Sequence, residues 1–319
     1  MKKLLAGMAL LFAASAAAQS YPSRPIQIVV PYAPGGVVDF VGRTLGQRLS
    51  QQVGQPVVTD NRPGAGGIIG IEYTARSAPD GHTLVVMDPA IVINPSLQEK
   101  VPYDVLRDLQ SVSVIGSSPL VLVVNPAVPA NSMAQLMEHA KANPGKLNFV
   151  SAGIGTTPHM AGEMLKLRAN VSMQHVPYKG SGPAMADLVG GQVQMGFSSI
   201  TAALPFMRDG RLRGLATTGA KRSGALPDLP TVIEAGYPGF EVDLWLGVFA
   251  PANLPPAVLA RLNSEVRSAL QDPGVRAAFA KVGIEPRGTS VEEGAAFVRD
   301  EFQKWATVVR DGRIRGQPR

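Results

Sequence analysis

Apolar residues recur along this chain in two rhythms. Ile26 to Val30 is an unbroken β-type run that stops at Pro31-Tyr32-Ala33-Pro34-Gly35-Gly36, after which Val38, Val41, Leu45 and Leu49 share one helical face. The alternation repeats. Val57 to Thr59 reads as a short strand before a helix over Ile68 to Ser77, and Thr83 to Met87 is a strand ending at Asp88-Pro89-Ala90. Two β-rich runs follow, Val112 to Ile115 and Leu120 to Val124. Ser132-Met133-Ala134-Gln135 is a capping box that opens a helix to about Ala142. Leu147 to Val150, Gln174 to Pro177, Gln194 to Phe197 and Leu212 to Thr217 read as strands. Helices over Pro158 to Leu167, Pro183 to Val189 and Ala203 to Arg208 alternate with them. Thr231-Val232-Ile233-Glu234 is a second capping box, and Leu244 to Ala250 is a strand. Helices from Pro255 to Gln271, Pro273 to Val282 and Ser290 to Arg310 finish the chain, the last opened by a third box at Ser290 to Glu293.

Repeated β–loop–α units predict an α/β fold, with helices on both faces of parallel or mixed sheets. At 319 residues the chain suits two domains. The predicted crossings lie at Asn125-Pro126 and near Leu244. They divide the chain into residues 19–124 plus 245–319 on one side and residues 125–244 on the other.

In α/β sheets, ligands sit beyond the carboxyl ends of strands, where helices begin. Two such loops are rich in small residues. Pro34-Gly35-Gly36 offers backbone N–H groups at a helix start, which suits an anion; it equally suits a tight turn with positive φ. In Ser151-Ala152-Gly153-Ile154-Gly155-Thr156-Thr157-Pro158-His159, proline at the first helical position makes Thr157 the N-cap. That leaves the Thr156 hydroxyl and the Gly153 and Gly155 amides for a second anion-binding mouth. Gly64 to Gly70 imitates a dinucleotide fingerprint, but follows Asp60-Asn61-Arg62-Pro63 and has no acidic residue at the expected offset, so the glycines read as packing residues.

The N-terminus sets the expected compartment. Lys2 and Lys3 precede an apolar run from Leu4 to Ala14, and Ala16-Ala17-Ala18 forms a cleavage site, so residues 1–18 read as a signal peptide and the mature chain as periplasmic. With no cysteine and four histidines, neither a metal nor another cofactor is expected. The net charge of +6 is scattered, and with export it argues against nucleic acid. Catalysis has little support. No G-x-S-x-G elbow occurs, and Ser198, Ser199 and His159 form no local motif. Asp39 lies in a first helical turn, where a carboxylate suits the dipole. Trp245 and Tyr178 suit either a ligand wall or ordinary packing.

The loops together resemble a known family. Tyr21-Pro22, Arg24-Pro25-Ile26, Val30 to Gly36 with Asp39, Asn61 to Gly67, Pro79-Asp80-Gly81 and Gly155-Thr156 with His159 match its pattern. So do Pro177 to Gly180, Leu188 to Val193, Leu229 to Gly236 with Glu234, and Ala250-Pro251-Ala252. In number, order and spacing these stretches resemble the Bug family, the solute receptors of tripartite tricarboxylate transporters. The resemblance implies a two-domain periplasmic-binding-protein (type II) fold, with a cleft that closes on a small organic acid. A di- or tricarboxylate, an aromatic carboxylate or an amino acid would be held by main-chain groups and ordered water. It implies delivery by a monomer to a two-component membrane permease. Position by position it places Tyr32, Ala33, Pro34, Gly35, Gly36, Asp88, Pro89, Ala90, Ala152, Gly153, Gly155, Thr156, His159, Tyr178, Ser198 and Ser199 in the pocket, with Asp39 touching ligand or pinning its loop. Ile154 stands where relatives often carry a polar residue, which disfavours polar amino-acid ligands. The competing readings are an exported hydrolase using Ser198 or Ser199 with His159, and a ligand sensor feeding a two-component kinase.

Overall fold

The computed structural model describes residues 21–311 and residue 314; the predicted signal peptide lies outside them. Each β-run before residue 90 forms its strand. These are β1 (Ile26–Val30), β2 (Val57–Asn61) and β3 (Thr83–Met87), with α1 (Val37–Val53) and α2 (Ile68–Ala75) between them. On α1 the predicted stripe Val38, Val41, Leu45 and Leu49 is buried, and Gly54 ends the helix in the left-handed conformation. One helix has no counterpart in the sequence reading, α3 (Ala90–Leu97). Its run is apolar on every side and contains Pro95, so it shows no helical face; it is buried almost throughout.

The two β-rich runs after residue 108 are one strand, β4 (Leu109–Val124), which changes partners part-way along. Residues 109 to 119 pair antiparallel with β9 (Asp243–Pro251), and β10 (Glu285–Pro286) lies on the other side. From Leu120 to Val124 the same strand pairs antiparallel with β7 (Met195–Ser199) and with β8 (Arg213–Thr217). The first sheet therefore runs β2-β1-β3-β9-β4-β10. The second runs β8-β4-β7-β5-β6, where β5 (Leu147–Ser151) and β6 (Met173–Pro177) are parallel to each other and β5 is parallel to β7. The change of partner falls between Pro119 and Leu120, ahead of the crossing expected at Asn125. Thr218 stitches this point. Its hydroxyl donates to the Val242 carbonyl at 2.6 Å and accepts the Leu120 N–H at 2.8 Å, tying the outgoing strand to the returning one.

Helices α4 (Met133–Ala142), α5 (Thr157–Ala169), α6 (Ser181–Val189) and α7 (Ile200–Arg208) belong to the second sheet, while α8 (Pro256–Ala269), α9 (Pro273–Ala280) and α10 (Val291–Asp311) follow β9. Ser132 caps α4 through the Gln135 N–H as predicted. The box at Thr231 and Glu234 makes both reciprocal bonds yet opens only a turn. Local capping chemistry is the same there, but no apolar helical face follows to be buried.

Trp245 is a core residue. It is 3% exposed, packs on Phe249 and Phe297, and shares the Glu301 carboxylate with Trp305: both indole N–H groups donate to Oε2, at 2.8 and 3.0 Å.

Candidate functional site

A small cavity lies where helix starts from both sheets meet. Its walls are Tyr32, Gly36, Val37, Val38 and Asp39 from the β1–α1 junction, Asp88 from the end of β3, and Leu244 at the start of β9. The second sheet contributes Ala152 and Pro158 around the start of α5, Ser181 at the start of α6, and Ser199 at the cap of α7. The volume is about 20 Å³, room for roughly one water. Helix geometry leaves the leading amides without intrahelical acceptors, and the aligned peptide dipoles make each start positive. No lysine or arginine is among the lining residues.

Of the glycine amides expected to face an anion, those of Gly35, Gly153 and Gly155 are spent on holding the loops. The Gly35 N–H donates to Asp39 Oδ2 at 3.2 Å, and Asp39 Oδ1 accepts from Arg43 Nε and Asn61 Nδ2, both at 3.0 Å. Asn61 Nδ2 also donates to the Tyr32 carbonyl at 2.9 Å. Burial pushes the Asp39 pKa up, but the bonds from Arg43, Asn61 and Gly35 outweigh it and hold it below the ordinary value. Asp39 therefore pins its loop. Amides remaining for a guest are those that lead α1, at Gly36, Val37 and Val38.

In the second loop the cap assignment shifts by one residue. Thr156 is the N-cap of α5, Thr157 begins the helix and Pro158 follows it. The Thr156 hydroxyl donates to the Gly153 carbonyl at 2.6 Å instead of facing the cavity, whereas the buried Thr157 hydroxyl has no partner. The Gly153 N–H donates to Ser151 Oγ at 3.1 Å, and the Gly155 N–H to His159 Nδ1 at 3.2 Å. Proline at the second helical position satisfies the same backbone constraint as at the first, so local sequence could not separate the two registers.

His159 and His175 stack with ring centroids 4.2 Å apart, and Phe149 stacks on His175. Ser151 Oγ donates to the Gly153 carbonyl at 3.0 Å and stands 2.6 Å from His175 Nε2. With its single proton given to Gly153, the serine accepts from a protonated Nε2. Burial, with Lys166 adding to it, pushes His159 down to about 4. Burial, His159 and Lys166 push His175 down to about 3. Both rings are neutral near pH 7, and they brace the second loop. Ser199 Oγ accepts the Ala202 N–H as the cap of α7, and Ser198 Oγ is buried without a partner. Among the described residues neither Ser198 nor Ser199 is hydrogen-bonded to His159, so the particular pair expected of a hydrolase is not formed.

Asp88 is the unusual member of the cavity wall. Tyr32 Oη donates to its Oδ1 at 3.0 Å and the Ala90 N–H to the same atom at 2.9 Å. Burial pushes Asp88 up to about 6, the bonds from Ala90 and Tyr32 offsetting part of the effect.

Of the residues expected in the pocket, Tyr32, Gly36, Asp39, Asp88, Ala152 and Ser199 come together. Ala33, Pro34 and Gly35 lie in the same β1–α1 loop without lining the cavity, and Pro89 and Ala90 follow Asp88 at the start of α3. Gly153, Gly155, Thr156, His159 and Ser198 support the wall without lining it. Tyr178 faces an adjoining groove with Gly153, Ile154, Ile68 and Ile69, and its hydroxyl donates to Asp187 at 2.5 Å. Sequence reasoning missed Ser181. Its setting, Gly180-Ser181-Gly182-Pro183 after β6, has the same strand–small residue–helix signature as the other two loops.

The two sides of the site touch backbone to backbone. The Ala33 N–H donates to the Lys179 carbonyl at 3.1 Å. A Cβ on Gly182 would stand 2.5 Å from the Pro34 carbonyl oxygen, and one on Gly66 would stand 2.0 Å from that of Ile154. Asn94 adds a side-chain contact: Nδ2 donates to the Gly66 carbonyl at 3.1 Å, and Oδ1 lies 1.9 Å from where a Gly155 Cβ would be. The glycines of the 64–70 stretch thus serve close approach, and Gly67 and Gly70 pack on Met87 and Pro31.

Residues 41–313 match the model of the tripartite tricarboxylate transporter family receptor. The chain is 42% identical over 301 residues to protein BugT of Bordetella pertussis, covering 94% of this chain and 92% of that protein. Three solved structures superpose closely. They are the periplasmic binding protein BugD (TM-score 0.90, 33% identity, 93% of this chain and 100% of that one), R. palustris Rpa4515 with adipate (0.89, 34%, 92% and 98%), and MatC from Rhodopseudomonas palustris with bound malate (0.85, 32%, 91% and 100%). Among the described residues no helix is long and apolar enough to cross a membrane. With an α/β fold shared across the chain and helix starts gathered at one cavity, this protein belongs to the tripartite tricarboxylate transporter receptor family, whose members are periplasmic solute-binding proteins.

Proposed function

We propose that this receptor closes on a small organic carboxylate and hands it to a two-component membrane permease without chemical change. The observation that carries the reading is the cavity itself. It is bounded by the starts of α1, α5, α6 and α7 and has no basic side chain on its wall. Backbone dipoles and unpaired amides then supply the positive potential, which suits a carboxylate held by main-chain groups. Two solved relatives hold acids of this class, adipate in one and malate in the other. Contacts are assigned to the Gly36, Val37 and Val38 amides and to Ser181, Ser199 and Asp88. The moving parts are two lobes, residues up to Pro119 with those from Asp243 on, and Leu120 to Val242, hinged where β4 changes partners and Thr218 binds the two crossings. In the cell the mature chain begins after Ala18, exported to the periplasm as a monomer.

A thermal-shift screen of di-, tri- and aromatic carboxylates on the mature protein tests this. An acid at 100 times its Kd stabilises the native state by ~2.7 kcal/mol, which is roughly 4 °C for a protein of this size. If no carboxylate shifts the midpoint, the reading fails. Turnover of ester substrates by the pure protein would replace it with the hydrolase reading.

A further inference from the structure

Asp88 poses a problem for a carboxylate site. It is 4% exposed and lines the cavity with no lysine or arginine beside it. Asp88 shares its wall with the helix starts, so a carboxylate group held there once the lobes part to admit it becomes its close neighbour, and two like charges confined together cannot both remain ionised without cost. The other acidic residue on the wall, Asp39, is already matched by Arg43, Asn61 and the Gly35 amide. Asp88 has a different arrangement. The two donors that other residues supply, Tyr32 Oη and the Ala90 N–H, both bond to Oδ1, and among the described residues no other residue donates to Oδ2.

We propose that Asp88 is the proton-bearing residue of this site, and that each captured carboxylate is bound together with one proton, taken from solvent onto Asp88 Oδ2 and donated to the acid. The inference rests on the reading of the cavity as a carboxylate site. An acid–carboxylate hydrogen bond replaces a repulsion with a charge-assisted contact, and the donors on Oδ1 hold the carboxyl so that Oδ2 is the atom that bears the proton. Burial has already raised Asp88 to about 6, so a neighbouring anion has only a short distance to move it past neutrality. The other titratable groups around it do not change charge in that range. Tyr32 and Tyr103 are pushed upward, chiefly by burial, and stay protonated; Asp39 stays ionised; His159, behind the start of α5, stays neutral.

The test uses adipate and malate, titrated calorimetrically into the mature protein from about pH 7 to about pH 8.5, where both acids are ionised. Repeating one pH in buffers of different ionisation enthalpy counts protons on the wild-type chain and needs no variant. The expected result is uptake of close to one proton per bound acid and affinity that falls by up to tenfold per pH unit. In Asp88→Asn, whose folding is checked by circular dichroism, uptake disappears, the profile flattens and affinity near pH 8.5 exceeds wild type. Binding with no proton uptake and a flat wild-type profile overturns the role of Asp88 while leaving the carboxylate reading standing. A steep profile unchanged in Asp88→Asn overturns it as well. Failure of both acids and of the wider carboxylate screen to bind at any pH overturns the two together.

Discussion

Replacing Gly182 with alanine sets a methyl group at the contact between the two sides of the cavity. The residue lies in the first turn of α6 with ordinary helical backbone, so alanine fits the helix itself and improves its propensity by up to ~1 kcal/mol. Across the cleft the new Cβ would meet the Pro34 carbonyl oxygen at 2.5 Å. An ordinary carbon–oxygen contact is about 3.3 Å, so the walls must stay apart by roughly 0.8 Å or the Pro34 loop must give way. That loop is held by the Gly35–Asp39 bond, and Asp39 is itself held by Arg43 and Asn61, so it yields poorly. Overpacking of this kind costs ~1–3 kcal/mol in the closed state alone, which lowers affinity roughly 5- to 150-fold. Unliganded stability should be equal or slightly higher. Titration calorimetry, a denaturant midpoint and small-angle scattering with and without bound acid measure the three consequences. Gly224→Ala is the control, since its Cβ would meet nothing within 4 Å. Wild-type affinity together with wild-type compaction in Gly182→Ala would refute closure at this contact, and lost stability without a change in affinity would mark Gly182 as a folding residue.

Three other perturbations probe the supports of the site. Thr156→Val deletes the bond to the Gly153 carbonyl and should cost ~1 kcal/mol, whereas Thr157→Val removes an unpartnered buried hydroxyl and should be neutral or stabilising; chemical denaturation that ranks them the other way would restore Thr157 as the cap. The His159 pKa is depressed in the fold, so its contribution is present above pH ~6.5 and is lost as pH falls toward about 4, on the order of 3 kcal/mol. Asp88 has the opposite sign, its raised pKa adding stability as pH falls through about 6. Stability followed against pH should therefore show a steeper acid loss in Asp88→Asn and a shallower one in His159→Gln. Glu301→Ala strands two buried indole N–H groups and should cost ~3 kcal/mol or more with a change in tryptophan emission; a denaturant midpoint within error of wild type would show that neither bond matters.

The local elements were legible because their physics is local. The stripe on α1, the cap at Ser132 and the β-run at Ile26 to Val30 each appear where side-chain spacing alone puts them. The small-residue loops at Pro34 to Gly36 and Ser151 to Pro158 likewise marked where the cavity would lie, since helix starts beyond strand ends leave amides unpaired in any α/β sheet. Pattern alone did not reveal α3, buried on every side, or that β4 is one strand serving two sheets, because pairing partners are chosen by distant segments. Nor could it say how the loop groups would be used. The Gly35 and Gly155 amides are consumed by Asp39 and His159, while Ser181 and Leu244, distant in sequence, complete the wall. A hydrogen bond depends on which acceptor the fold brings within 3 Å, and the environment of Asp88 depends on which charges the fold keeps away. Those are properties of the packed chain, and the sequence alone determined only which residues were available for them.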